Sequence, residues 1–250
     1  MTTRARSFDS AAALYAANRP GYPEALYDAV EELCGRPLAG ARVADVGAGT
    51  GLGTGPMHRR GARVVAVEPG DGMAAEFRRA HPEVPVVRGD GDRLPLATAA
   101  FDLVTYAQAW HWTDPALAVP EALRVLRPGG ALALWWNDID ESVPWVAAQG
   151  ERIRAFFDAD GGAAAATATH FRTLPQGLAS GFTTRTVAWS RRIPLDAHLA
   201  NLSSHSAFLV LGAEGTRAFM DAERGHLAGL FPDGTVEEPY TVGLYVARSA

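Results

Sequence analysis

The chain has 250 residues, 48% hydrophobic and 20% charged, with a formal net charge of −5 and a single cysteine. That length buries a sizeable core in one large domain or two small ones. The mildly acidic balance disfavours phosphate backbones as partners, and one cysteine excludes an internal disulfide. No Cys/His spacing resembles a zinc site, so the expectation is a reducing compartment with no bound metal. Cys34 reads as a small apolar residue at a helix end. The opening "MTTRARSFDSAAALYAANRPGYP" lacks the continuous apolar run of a secretory leader. No stretch approaches the roughly 20 apolar residues of a membrane span. These features predict a cytoplasmic protein with no membrane and no nucleic-acid partner.

In chain order, residues 10–18 read as a helix that "NRPGYP" breaks. A second helix is predicted over Glu24–Leu33, with Leu26, Val30 and Leu33 on its buried side. "RVADV" (42–46) is a buried strand that runs into "GAGTGLGTG", and "ARVVAVEP" (62–69) repeats the strand pattern. One short helix fits between them, which makes a βαβ unit with parallel strands. Residues 72–80 read as a helix, "VPVVRGD" as a third strand and "AFDLVTYAQA" as a fourth. A helix over 115–126 stops at "RPGG", and "ALALWWN" is a fifth strand. Strands alternating with helices predict a doubly wound, Rossmann-like α/β sheet with both faces covered.

Beyond residue 140 the pattern loosens. Residues 143–158 read as a helix, and "DADGGAAAATATH" as a small-residue connection. "FTTRTVAWSRRI" and "YTVGLYVARS" read as two strands separated by two short helical stretches. They are expected to complete a seven-stranded, mostly parallel sheet. No internal repeat is visible, so one domain is predicted over 1–250.

A glycine-rich turn between a strand and a helix sets backbone N–H groups beside a ligand. The dinucleotide fingerprint G-x-G-x-x-G fails here, because Leu52 holds the third glycine's place. The pattern present is D-x-G-x-G-x-G: Asp45, Gly47, Gly49 and Gly51. Glu68 closes the second strand, where a carboxylate can take both hydroxyls of a ribose. These residues resemble motifs I and II of the class I S-adenosylmethionine-dependent methyltransferases. "RGDGDRLPLATAAFDLV", "YAQAWHW" and "ALRVLRPGGALALWWN" are similar to that family's third to fifth strands and their loops. "FDSAAALYAANRPGYP" and "WWNDIDESVPW" resemble a type 11-like subgroup of small-molecule enzymes similar to trans-aconitate methyltransferase. The resemblance spans about residues 8–146 and is weak beyond them.

The resemblance implies S-adenosyl-L-methionine as cofactor and a small-molecule acceptor. It implies a helical cap over 1–35, a cofactor-binding core over 36–140, and a C-terminal part over 141–250 that completes the sheet and the cleft. Gly47, Ala48, Gly49 and Gly51 would approach the cofactor's amino-acid part. Asp45 would orient that turn and reach the ammonium through water. Glu68 would take the ribose diol, Pro69 and Met73 would flank the adenine, and Asp90, Gly91 and Asp92 would hold its amino group. Gln108 would lie near the sulfonium. From the cap, Tyr15 and Arg19 would meet the cofactor carboxylate or close over the substrate, beside Tyr22.

One stretch departs from the family. Gly53-Thr54-Gly55-Pro56 occupies the first turn of the expected helix. Thr54 reads as an N-cap, and the helix is expected to run from about Thr54 to about Arg60.

The reacting side is expected beyond the strand ends. Methyl transfer from a sulfonium is an SN2 displacement, so the protein chiefly aligns the nucleophile. His111 is the candidate general base; its other reading is packing between Trp110 and Trp112 or holding the substrate. Trp110, Trp112 and Trp145 are candidate pocket aromatics, while of Trp135 and Trp136 at most one can face the cleft. Asn137 is a candidate hydrogen-bond donor to substrate, and His205 a candidate contact from the C-terminal region. "DIDE" (138–141) reads as a solvated turn. His58, His81, His170, His198 and His226 read as surface or packing residues, and Arg191 and Arg192 as a solvated edge. The expected assembly is a monomer or homodimer. Two other readings stay open: a protein that binds the same cofactor but promotes another reaction such as cyclisation, and a nicotinamide-dependent reductase.

Overall fold

The computed structural model describes residues 18–159 and 181–249. Helix α1 (Glu24–Cys34) follows Pro23 and ends at Gly35, whose φ of 68° lets the next N–H groups close on Glu32 and Glu31 carbonyls. Leu26, Tyr27, Val30 and Cys34 form its buried stripe. Arg60 follows α2 (Thr54–Arg59) and bonds Glu24, Asp28 and Glu31, which lie along one face of α1.

Strands β1 (Arg42–Val46), β2 (Arg63–Glu68), β3 (Val86–Arg88), β4 (Phe101–Ala107) and β5 (Leu126–Ile139) pair in parallel. Helices α3 (Asp71–Ala80) and α4 (Pro115–Val125) supply two of the crossovers. Asp114 caps α4 by accepting the Ala116 N–H at 2.9 Å, and Pro115 takes the first helical position. After α5 (Pro144–Ala159) come β6 (Phe182–Pro194), α6 (Leu195–Ser203), α7 (Ser206–Leu230) and β7 (Thr235–Arg248). Strand β7 inserts antiparallel between β5 and β6, so the seven strands run β3-β2-β1-β4-β5-β7-β6.

Strand periodicity divides the core between the two faces of the sheet. Ala131, Ala133 and Trp135 pack with α1 and with Met57 and Phe77. Leu132, Leu134 and Trp136 pack with Ala118, Ala122 and Val125 of α4. The expected α/β sheet, mostly parallel with helices on both faces, is what forms. Strand order reverses between β1 and β4, which opens a crevice at the carboxyl ends there.

Four expectations change. Thr54 lies inside α2 rather than capping it; Gly53 precedes the helix, and the Thr54 hydroxyl is drawn to Asp45 instead. "RPGG" is not a free turn, because β5 already begins at Leu126. Its register jumps from Phe101↔Leu126 to Leu103↔Ala131, so residues 127–130 bulge out. The second helix between β6 and β7 is long, not short: α7 has 25 residues, with a break at Gly212 where φ is 75°. The strand expected from Tyr240 begins at Thr235. The predicted helix over 10–18 falls almost entirely outside the described residues, as do Tyr15, His170 and most of the small-residue connection.

Candidate active site

A cavity of about 970 Å³ opens at the carboxyl ends of β1, β2, β4 and β5 and extends to α5, α6 and α7. Its near wall is the glycine turn. Gly47, Gly49 and Gly51 have φ of 67°, 58° and 92°, a region L side chains seldom adopt. Their neighbours differ. A Cβ on Gly47 would sit 2.4 Å from the Ala109 Cβ, and one on Gly51 would sit 2.3 Å from the His81 ring. A Cβ on Gly49 would meet nothing within 4 Å, so this bare backbone faces open space in the cavity wall. Thr50 lines the same wall; its buried hydroxyl has no hydrogen-bond partner among the described residues.

Two carboxylates hold this turn. Asp45, fully buried, accepts from Thr54 Oγ1 at 2.5 Å and Thr105 Oγ1 at 2.8 Å. Burial pushes its carboxyl up to about 6 although both hydroxyls pull it down. Glu68 Oε2 accepts the Gly49 N–H at 2.8 Å, and its Oε1 accepts the Gly70 N–H at 2.7 Å. Glu68 therefore stitches the glycine turn to the start of α3 while still lining the cavity. Beyond it, Asp90 Oδ1 accepts from the N–H groups of Asp92 and Arg93, and Asp92 Oδ1 accepts the Asp114 N–H at 2.8 Å. The loop after β3 is thus fixed against the cap of α4.

After β4 the chain enters the cavity through Gln108. Its φ of 55° is unusual for a residue with a side chain. Its N–H donates to Trp135 O at 2.9 Å, which holds the residue there. A 3₁₀ turn (Trp110–Trp112) follows. His111 Nδ1 accepts the Trp136 indole N–H at 3.3 Å. An indole N–H only donates, so the neutral ring carries its proton on Nε2. Burial lowers the His111 pKa to about 4. Asn137, at the end of β5, accepts the Trp189 indole N–H on Oδ1 at 2.9 Å.

The far wall comes from the C-terminal elements. Glu238 of β7 is fully buried. It receives His198 Nδ1 at 2.6 Å, Arg191 Nε at 2.6 Å and the Tyr240 hydroxyl at 2.7 Å. Burial alone would raise its pKa, but His198, Tyr240 and the Arg191 charge outweigh burial and bring it to about 2. Gln149 Nε2 donates to Glu223 Oε1 at 2.9 Å and contacts His198 Nε2 at 3.0 Å. The carboxylate identifies that atom as nitrogen, so His198 accepts on Nε2 and carries its proton on Nδ1. His205 opens onto the cavity, with Arg19 Nη1 3.4 Å from its Nε2. Desolvation within the cavity, then the Arg19 charge, lower its pKa to about 3.

Comparison with known proteins finds similarity in the same part of the chain. Residues 44–134, which span β1 to β5, match the family model described as a methyltransferase domain. An uncharacterized methyltransferase of Mycobacterium tuberculosis is 46% identical over 147 residues, covering 59% of this chain and 58% of that protein. A demethylmenaquinone methyltransferase of Beutenbergia cavernae is 37% identical over 128 residues, covering 51% of this chain and 52% of that one. The chain thus spans just over half the length of these curated relatives. A structure from Anaeromyxobacter dehalogenans, described as a candidate type II methyltransferase, shares the fold. Its TM-score is 0.65 at 24% identity, over 92% of this chain and 97% of that one.

Most expected residues meet at the cavity: Arg19, Tyr22, Gly47, Ala48, Gly49, Glu68, Pro69, Met73, Asp90, Gly91, Asp92, Gln108, His111, Trp112, Asn137 and His205. Four do not line it. Gly51 packs on His81 and Phe77, so its missing side chain serves a helix contact and not a ligand. Asp45 is sealed beneath the turn and orients it from below. Trp110 is buried edge-on against Tyr106 at 4.9 Å between ring centres. Trp145 packs against His198 and Phe231 on the far side of α5. Of the two strand tryptophans, Trp136 faces the cavity and Trp135 the opposite core. Arg191 is no solvated edge, since it pairs with buried Glu238, whereas Arg192 is exposed beside Asp233. Sequence reasoning missed Thr50, Gln149, His198, Asn201 and Tyr240. A signal for the last three existed: Val236, Glu238, Tyr240, Val242 and Leu244 alternate on one buried face, and a glutamate in that row demands partners.

Proposed function

We propose that the domain transfers a methyl group from S-adenosylmethionine to an oxygen, nitrogen or carbon atom of a small-molecule acceptor. The carrying observation is the Gly49–Glu68 bridge at the mouth of a cavity that continues to Asn137 and Asn201. The residues present fit the cofactor. Gly49 leaves room for close approach, and the unpartnered Thr50 hydroxyl is placed to donate to an α-carboxylate. Glu68 accepts a backbone N–H on each oxygen and lines the cavity, where its carboxylate would face ribose hydroxyls. Pro69 and Met73 supply an apolar flank for a base, and Asp90 with Asp92 an acceptor edge for its amino group.

When bound, S-adenosylmethionine supplies an electrophilic methyl on a sulfonium, displaced in line. The protein's task is then alignment and exclusion of water. Gln108 and Trp112 border the reacting region, and Leu202 and Phe208 enclose its apolar side. The Trp136 bond occupies His111 Nδ1, and the proton on Nε2 leaves no basic nitrogen. This supports a donor that holds the acceptor molecule in place over a base that deprotonates it. A relative's name, demethylmenaquinone methyltransferase, also supports a small-molecule acceptor.

Calorimetry with S-adenosylmethionine and NADH tests the cofactor. Binding of the first and not the second is expected, with Glu68→Ala weakening it by at least about tenfold. NADH binding, or an unchanged Glu68→Ala affinity, would remove the reading. S-adenosylhomocysteine release across an acceptor panel then separates transfer from mere binding.

A further inference from the structure

Two amide groups at the far wall are left incomplete in a specific sense. Asn137 and Asn201 line the cavity and are each more than nine-tenths buried. Asn137 Nδ2 and Asn201 Oδ1 have no hydrogen-bond partner among the described residues. Their orientation is fixed by chemistry. Asn137 must turn Oδ1 to the Trp189 indole, a pure donor, so its NH₂ is the orphan. Asn201 Nδ2 meets Glu238 Oε1 at 3.4 Å and the Tyr240 oxygen at 3.3 Å. Tyr240 gives its own proton to Glu238, so its oxygen accepts from Asn201. The Asn201 carbonyl is therefore the orphan. Trp189 and Tyr240, stacked 5.1 Å apart, connect the two amides.

We infer that this pair is the recognition site for the methyl acceptor, and that the acceptor is an uncharged molecule offering a hydrogen-bond acceptor to Asn137 and an O–H or N–H to Asn201. An orphaned buried donor and acceptor favour a ligand that satisfies both. Beside the pair the charge is already balanced: Glu238 is held by Arg191 and by neutral donors, so an anion bound there would meet a buried carboxylate whose own cation, Arg191, is already engaged. Leu202 and Phe208 line the cavity within an aromatic cluster, which suits an apolar body behind the polar head. The inference rests on reading the cavity as the acceptor site of a transferase.

Three probes share one body and differ only in the head: benzamide, benzoate and toluene. Each is titrated into the wild-type protein by NMR, with and without S-adenosylhomocysteine. Benzamide is expected to bind at least about tenfold more tightly than either of the others. Asn137→Asp keeps the acceptor for Trp189 and replaces the orphan donor, while Asn201→Leu removes the orphan acceptor. Each should cost benzamide about tenfold and leave S-adenosylhomocysteine affinity unchanged, which also reports folding. Equal binding of the three probes to wild type, or a benzamide preference that survives both substitutions, would overturn the inference. Failure to bind S-adenosylhomocysteine with the benzamide preference intact would remove the transferase reading alone.

Discussion

His111 and His198 face the same cavity with their protons on opposite nitrogens, and in each case one neighbour decides. Trp136 can only donate, which makes His111 Nδ1 an acceptor; Gln149, anchored on Glu223, does the same to His198 Nε2. With burial lowering His111 to about 4, its ring should stay neutral throughout NMR titration above pH 5. A midpoint near 6.5 would refute that. His111→Ala should raise KM for the acceptor and lower kcat by no more than about tenfold, whereas a loss of a hundredfold or more would restore the base role. Residues such as Gly49, Glu68 and Asn137 were readable because their place at a strand end is a local property of the sequence. Asn201 and His198 were not, because their task depends on Glu238, a distant residue that only folding brings to them.

Among the elements, the glycine turn and α2 account for the stretch that departs from the family. Gly55 lies inside α2, where alanine would ordinarily gain about 1 kcal/mol. Here a Cβ would approach the His81 ring to 2.7 Å. Gly55→Ala is therefore expected to destabilise the wild type and to stabilise a His81→Ala background by about 1 kcal/mol. Thermal melts of the four proteins check it; the same sign in both backgrounds would refute the contact. So Gly51 and Gly55 together make room for the end of α3, and Gly53 gives its carbonyl to Tyr27 at 3.3 Å. None of this is written in local periodicity, because the partner ring lies across the βαβ unit. Apolar runs set the strands β1 to β5 well, whereas "RPGG" misled because glycine and proline mark bulges as readily as turns.

For the molecule as a whole, two buried carboxylates bend stability in opposite directions with pH. Asp45 is raised to about 6 in the fold, so the native state holds its proton more tightly than the unfolded chain does. Its contribution improves as pH falls from about 6 toward 4. Glu238 is depressed from 4.5 to about 2, so its contribution is present above 4.5 and is lost as pH falls toward 2. That loss is about 3 kcal/mol by linkage. Asp45→Asn should abolish the first slope and Glu238→Gln the second, as read by denaturant unfolding at stepped pH. Wild-type slopes in both variants would refute the assignment. The seven-stranded order carries one more consequence. Strand β7 is the bridge between β5 and β6, yet it follows both in the chain. In a growing polypeptide the five parallel strands and the glycine turn can assemble while β6 still waits for β7, its one strand neighbour among the described residues. The wall that carries the glycine turn is thus available early, and the wall that carries Glu238 closes last, when residues 235–248 slot into place.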